Sequence, residues 1–308
     1  MNIQQLEYIL AVDSLHHFAK AAEQCKVTQP TLSAMVQKLE DELGLKLFDR
    51  TTQPIQTTLT GKKIIEQARK VLLEVSKIKD ISEEEKQSVK GTFYLAVLPT
   101  IAPYLLPRFF HKLTEKHVEL DIRVVEMKTA QALMAVQKGE VDAAILANKP
   151  IEIMLKSESL FYEQFFSYVS KNEPIFTKET IRTADIDGKR LWLLDEGHCF
   201  RDQLMRFCQM EKVKLHQSAY RLGSMETFMR MVESGNGITF IPELATLQLS
   251  EEQQKLVRPF AIPRPTREIM FITRNDFIRN AIADIIKKSI KDAVPKEMHT
   301  LRPGLKVV

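Results

Sequence analysis

Two of the chain's three cysteines lie nine positions apart in EGHCFRDQLMRFC, residues 196–208, and His198, Arg201 and Asp202 crowd around the first of them, Cys199. Metal ligation wants close ligand pairs, and only His198 stands near enough to Cys199 to help, so no metal is expected. A thioredoxin-like site has two residues between its thiols, which this spacing lacks. Two readings remain. One is a pair of inert core thiols, since free cysteine is among the most buried side chains. The other is a reactive thiol at Cys199, because adjacent cationic groups favour the thiolate that does the chemistry.

The elements that must position these residues follow from the rest of the chain. Its 308 residues allow two or three domains. Hydrophobic residues make up 44% and charged residues 27%, an ordinary globular composition. Three cysteines do not make a disulfide scaffold. The opening MNIQQLEYILAV lacks the pattern of a secretory signal, and no apolar stretch reaches the roughly 18 residues of a membrane span, so a cytoplasmic protein without a membrane partner is expected. Net charge +4 and pI near 8.8 permit a nucleic-acid partner without arguing for one.

Ile3, Leu6, Ile9 and Leu10 share a helical face, and Phe18, Ala21 and Ala22 open a second short helix. After a break at Lys26 and Val27, Thr28 is placed to cap a third helix, with Pro30 in its first turn and Gly44 at its end. Helix-turn-helix and plain helical hairpin both fit. The stretch LKLFDRTTQPIQTTLTG reads as a small β wing turning at Gln53 and Pro54. A long helix follows, with Ile64, Ile65, Ala68, Val71, Leu72, Val75 and Ile78 as a seam that asks for a partner. Beyond Lys90, apolar runs such as FYLAVLP, LDIRVVEM, DAAIL, FFSYVS, RLWLLD, GITFIP and IMFITR alternate with helical stretches, which predicts parallel sheets. The last fifteen residues read as a basic tail.

The set Phe18, Ala21, Ala22, Val27, Thr28, Gln29, Pro30, Thr31, Leu32, Ser33, Leu39, Glu40, Leu43, Gly44, Leu47, Phe48 and Arg50 resembles the DNA-binding signature of the LysR-type transcriptional regulators. KGEVDAAIL and ESGNGITFIPELA resemble the effector domain of that family, and DEGHCFRDQLMRFC is similar to its peroxide-sensing members. The resemblance implies an α/β chain with three parts: a winged helix-turn-helix over 1–58, a linker and dimerisation helix over 59–89, and a periplasmic-binding-protein-like domain over 90–308. That last part would hold two Rossmann-like subdomains, one over about 90–163 and 268–308, the other over about 164–267.

It also implies roles. Thr28, Gln29, Pro30, Thr31 and Ser33 would face an operator in double-stranded DNA, with Lys38 and Arg50 on phosphates. Hydrogen peroxide would oxidise Cys199, and Cys208 would close a reversible disulfide without a cofactor. Thr100, Thr129, Gly197, His198, Arg201, Asp202 and Arg267 would form the peroxide pocket, with His198 and Arg201 stabilising the thiolate and Asp202 holding Arg201 or the helix amino end. Partners would be a second copy or a tetramer, RNA polymerase and a disulfide reductant; no enzymatic turnover is implied. A metabolite-sensing regulator with structural thiols, and a thiol peroxidase, are the competing readings.

Geometry bears on the pair. If Phe200 to Cys208 is helical, Phe200, Leu204, Phe207 and Cys208 share an apolar flank and Cys199 sits at the start among polar neighbours. Nine helical steps separate the thiols by about 13 Å along the axis. A disulfide needs α-carbons within about 7 Å, so the bond would require this helix to unwind.

Overall fold

The computed structural model describes residues 1–147, 155–194, 199–208 and 224–308. Gly197 and His198 lie outside them. The chain divides into two compact units, Met1–Lys86 and Gln87–Val308.

The first unit opens with α1 (Ile3–Leu15), capped reciprocally by Asn2 and Gln5. α1 touches α2 (Phe18–Gln24), α3 (Gln29–Leu43) and α4 (Leu59–Glu85), so more than one face is covered. Tyr8, Ala11 and Val12 are therefore buried along with Leu6 and Ile9, while Ile3, expected on the seam, is exposed. Between α2 and α3, Lys26 takes a left-handed conformation at φ 55°. Thr28 caps α3, its hydroxyl accepting from the Thr31 amide at 3.4 Å, and Gly44 ends it at φ +67°. A two-stranded wing, β1 (Phe48–Asp49) antiparallel to β2 (Gln56–Thr57), leads into α4. At Gly61 a β-carbon would come within 2.3 Å of the Leu47 carbonyl oxygen, so α4 packs here only because the side chain is absent. Ile65 and Ala68 of α4 are buried, whereas Val71, Ile78 and Ile81 are exposed.

The second unit runs β3 (Gly91–Val97), α5 (Ala102–Lys116), β4 (Leu120–Glu126), α6 (Thr129–Lys138) and β5 (Ala143–Leu146), then the long β6 (Leu155–Val169). After α7 (Cys199–Phe207) come α8 (Met225–Glu233), β7 (Ile238–Pro242), α9 (Glu243–Thr246), α10 (Glu251–Gln254), β8 (Val257–Pro259), β9 (Arg264–Arg274), α11 (Asn280–Ala293) and β10 (Leu305–Val307). The strand order is β4-β3-β5-β9-β6-β7, with β10 beside β9 and β8 beside β6.

Three expectations need correction. The sheets are mixed: β3 pairs in parallel with β4 and β5, but β9 runs antiparallel to β5 and β6, and β6 antiparallel to β7 and β8. Helical crossovers connect β3, β4 and β5 and enforce parallel pairing there; β6 and β9 are long return strands whose direction no local pattern encodes. RLWLLD forms no strand among the described residues; Leu191 makes only an isolated bridge to Ile238. The terminal segment is not a loose basic tail, because β10 adds to β9 in parallel, Leu305 opposite Arg264.

Candidate functional site

Cys199 opens α7 and Cys208 follows its last residue, its amide donating to the Leu204 carbonyl at 2.8 Å, so one continuous helical run carries both thiols. Both are free and buried. Phe200 meets Phe165 of β6 edge to face at 4.9 Å between ring centroids, and Phe207 meets Phe260 at 5.7 Å. The Gln203 amide donates to the carbonyls of Ala147, just past β5, and Val308, just past β10. α7 is thus anchored on the ends of β5 and β10 and on the side of β6, with Phe200, Gln203 and Leu204 buried on its inner flank.

The polar side of Cys199 is assembled from distant strands. Thr100 lies in the turn after β3 and Thr129 starts α6 just after β4, at the carboxyl ends of adjacent parallel strands, where such sheets bind ligands. Arg267 lies within β9. Its guanidinium donates to the Thr100 hydroxyl at 3.0 Å and the Thr100 carbonyl at 2.9 Å. Its head also lies over the Phe200 ring, 5.1 Å from the centroid, one residue from Cys199. Burial pushes the Cys199 thiol up; the Thr129 hydroxyl, the Arg267 charge and the Phe200 amide pull the other way, and Asp202 adds to the rise. The Thr129 hydroxyl oxygen is buried without a hydrogen bond of ordinary geometry, yet it is near enough to the sulfur to favour the thiolate.

Cys199 thus has polar neighbours, as expected, but is itself only 6% exposed. Arg267 is a cation whose charge favours its thiolate, and Asp202 opposes the thiolate. Arg201 is half-buried and Asp202 exposed on α7, and His198 and Gly197 lie outside the described residues. Cys208, on the apolar flank as expected, is pushed up to about 12 by burial.

In the first unit, Gln29, Pro30, Thr31 and Lys38 are exposed and Ser33 is half-buried, all on α3. Thr28 and Thr31 are joined by a hydroxyl–hydroxyl bond of 2.8 Å. Arg50 is held where it stands: it donates to the buried Glu40 at 3.1 Å and to Ser33 at 3.4 Å, and it lies over Phe18 at 4.9 Å. Glu40 also accepts the amides of Leu47 and Phe48, at 2.8 and 3.2 Å, which ties the start of the wing to α3.

Family models match both units of the chain. The model of the LysR substrate binding domain matches residues 86–289, and that of the bacterial regulatory helix-turn-helix protein, lysR family, matches residues 3–62. The chain belongs to the LysR family. Within it, the chain is 33% identical to the hydrogen peroxide-inducible genes activator of Haemophilus influenzae, over 99% of this chain and 100% of that protein. Among solved structures it is similar to OxyR from Porphyromonas gingivalis, at 50% identity and TM-score 0.67, covering 71% of this chain and 99% of that one. It is also similar to a substituted full-length OxyR from Pseudomonas aeruginosa, at 31% identity and TM-score 0.76, covering 96% and 99%.

For this LysR-family chain, Glu163 of β6 was missed by sequence reasoning. It is 1% exposed, accepts from Arg267 Nε at 2.8 Å and lies 2.6 Å from Arg267 Nη2. Burial pushes its carboxyl up while Arg267 pulls it down. The signal was there: a lone carboxylate inside the apolar run FYEQFFSYV, residues 161–169, has to find a partner. No group of His, Cys, Asp and Glu among the described residues could hold a metal. No helix there is long and apolar enough to cross a membrane.

Proposed function

We propose that this LysR-family chain is a DNA-binding transcriptional regulator switched by hydrogen peroxide. Peroxide takes the Cys199 thiol to the sulfenic acid with loss of one water, and the Cys208 thiol condenses with it, losing a second water and closing the disulfide. Thr100, Thr129 and Arg267, together with Gly197, His198, Arg201 and Asp202, form the peroxide pocket. A cellular dithiol returns the pair to thiols, so the chain acts as a switch and not as a catalyst with turnover.

The observation that carries this reading is the placement of two free thiols at opposite ends of one continuous helix. Their bond requires α7 to unwind, which turns a local oxidation into a change of fold. The names of the relatives, peroxide-inducible activator and OxyR, point the same way. Thr28, Gln29, Thr31 and Ser33 meet an operator, Lys38 and Arg50 its phosphates, and Pro30 shapes the helix entry. The exposed Val71, Ile78 and Ile81 of α4 provide an apolar face for a second copy, from which a dimer or tetramer is built and RNA polymerase engaged.

Burial of both thiols is the one observation that favours structural cysteines in a metabolite-sensing regulator. A peptide map by mass spectrometry after stoichiometric peroxide separates the two. A Cys199–Cys208 crosslink with altered operator footprint is expected; two free thiols and an unchanged footprint overturn the proposal.

A further inference from the structure

Arg267 is fully buried, and its charge reaches Cys199 only because something holds the guanidinium there. In the β6–β9 pair, Glu163 stands directly opposite Arg267, so both side chains leave the same face of the sheet. The two carboxylate oxygens divide their work. Oε1 takes Nε at 2.8 Å and faces Nη2 at 2.6 Å, while Oε2 accepts the Leu244 amide at 3.4 Å. With that edge engaged, the remaining donors point at the Thr100 hydroxyl and carbonyl, and the guanidinium lies over Phe165 and Phe200. Both groups hydrogen-bonded to Glu163, the guanidinium and the Leu244 amide, are donors, and the neighbouring Glu243 carboxylate acts on it through charge. A glutamine in its place must turn its amide NH2 toward either the guanidinium or the Leu244 N–H, donor against donor.

We infer that Glu163 is a positioning residue for the chemistry of Cys199, acting through Arg267: it fixes the one guanidinium orientation that brings two donors to Thr100 and a positive charge to the thiol. The inference rests on the proposed role of Cys199 but addresses a property of the thiol itself. It goes beyond the pocket because Glu163 touches neither sulfur nor peroxide; it acts at one remove, as outer partners of a reactive centre do.

Two readouts on the reduced full-length chain test it. The first is the pH profile of Cys199 alkylation by iodoacetamide, followed peptide by peptide, which involves no peroxide. The second is the rate of Cys199 sulfenic acid formation with hydrogen peroxide. Glu163→Gln is expected to raise the alkylation midpoint by about one pH unit, a roughly tenfold loss of rate at neutral pH. Sulfenic acid formation should slow by a similar factor. In an Arg267→Met background the same substitution should change neither readout further. Glu163→Asp, which keeps both acceptors but draws them back by one methylene, should shift the midpoint in the same direction by less, and it carries the test if the glutamine variant does not fold. An unchanged or lowered midpoint, or a Glu163 effect that persists without Arg267, overturns the inference. If the unsubstituted chain alkylates at Cys199 yet ignores peroxide, the functional reading fails while the alkylation profiles still decide the role of Glu163.

Discussion

Glu40 and Glu163 are both buried carboxylates that take backbone amides and an arginine, yet Arg50 keeps 36% of its side chain exposed while Arg267 keeps none. The difference lies in what each cation is left to do. Arg50 has one face on Phe18 and its edge toward solvent, so the pair stiffens the joint between α3 and the wing while presenting positive charge outward. Arg267 has no solvent face; its charge is enclosed with Thr100, two aromatic rings and a thiol. A buried pair contributes little net stability because desolvation offsets attraction, but removing one partner is costly. The same motif therefore acts as a surface clamp in one unit and as a fixed internal field in the other.

The contrast breaks most sharply at Arg267. Arg267→Met leaves the Glu163 carboxylate buried without its cation and is expected to destabilise the second unit by about 3–5 kcal/mol, read as a shift of that unit's transition in urea. Arg50→Met leaves Glu40 two backbone amides and the Lys46 ammonium at 3.5 Å, and Arg50 itself is part-exposed, so the first unit's transition should move by only about 1 kcal/mol; equal losses at the two sites would erase the distinction.

The two thiols sharpen it next. With Cys208 pushed up to about 12, its alkylation at pH 8 in the folded reduced chain should run roughly a thousandfold slower than in the urea-unfolded chain. The folded chain holds this proton more tightly than the unfolded one. Cys208 thus contributes stability below pH 9.0 that is lost as pH rises toward 12. Fast labelling of folded Cys208 at pH 8 would show that its pocket is not dry.

Glu40→Ala comes third. It strips the acceptor from the Leu47 and Phe48 amides, which are buried, and should cost the first unit about 1–3 kcal/mol in urea. The smallest effect is on DNA: Arg50→Met should flatten the dependence of log affinity on log salt by about one unit, measured by titration of an operator duplex at several salt concentrations. A slope unchanged from the parent would mean that Arg50 serves the fold alone.

Much of the first unit was legible because its signals are local. Thr28, Pro30 and Gly44 mark the ends of α3 by cap chemistry. The exposure of Ile3 was not legible, since it depends on which faces of α1 three other helices cover. In the second unit most strand runs and the parallel pairing of β3 with β4 and β5 were legible, but RLWLLD forms no strand among the described residues and the antiparallel directions of β6 and β9 were missed, because strand direction is set by what returns alongside. The nine-residue spacing of the thiols and their helical connection were legible, and so was the apolar flank of Cys208. The electrostatics of Cys199 were legible only in part: the resemblance put Arg267 in the pocket, but spacing along the chain points to Arg201, and that the Arg267 charge favours the thiolate follows from the fold.

By itself the sequence determined the order of elements, the caps that delimit the DNA-binding helices, and a pair of thiols too far apart to bond within an intact helix. These are properties of hydrogen bonds and rises over a few residues. Tertiary structure alone decided which cation faces Cys199 and which carboxylate holds that cation. Glu163 and Arg267 are 104 positions apart and meet only through the antiparallel register of β6 and β9, and Thr100 joins them from the turn after β3, 167 positions from Arg267. Coulomb interactions depend on distance in space and on exclusion of water, and neither is written in the spacing along the chain.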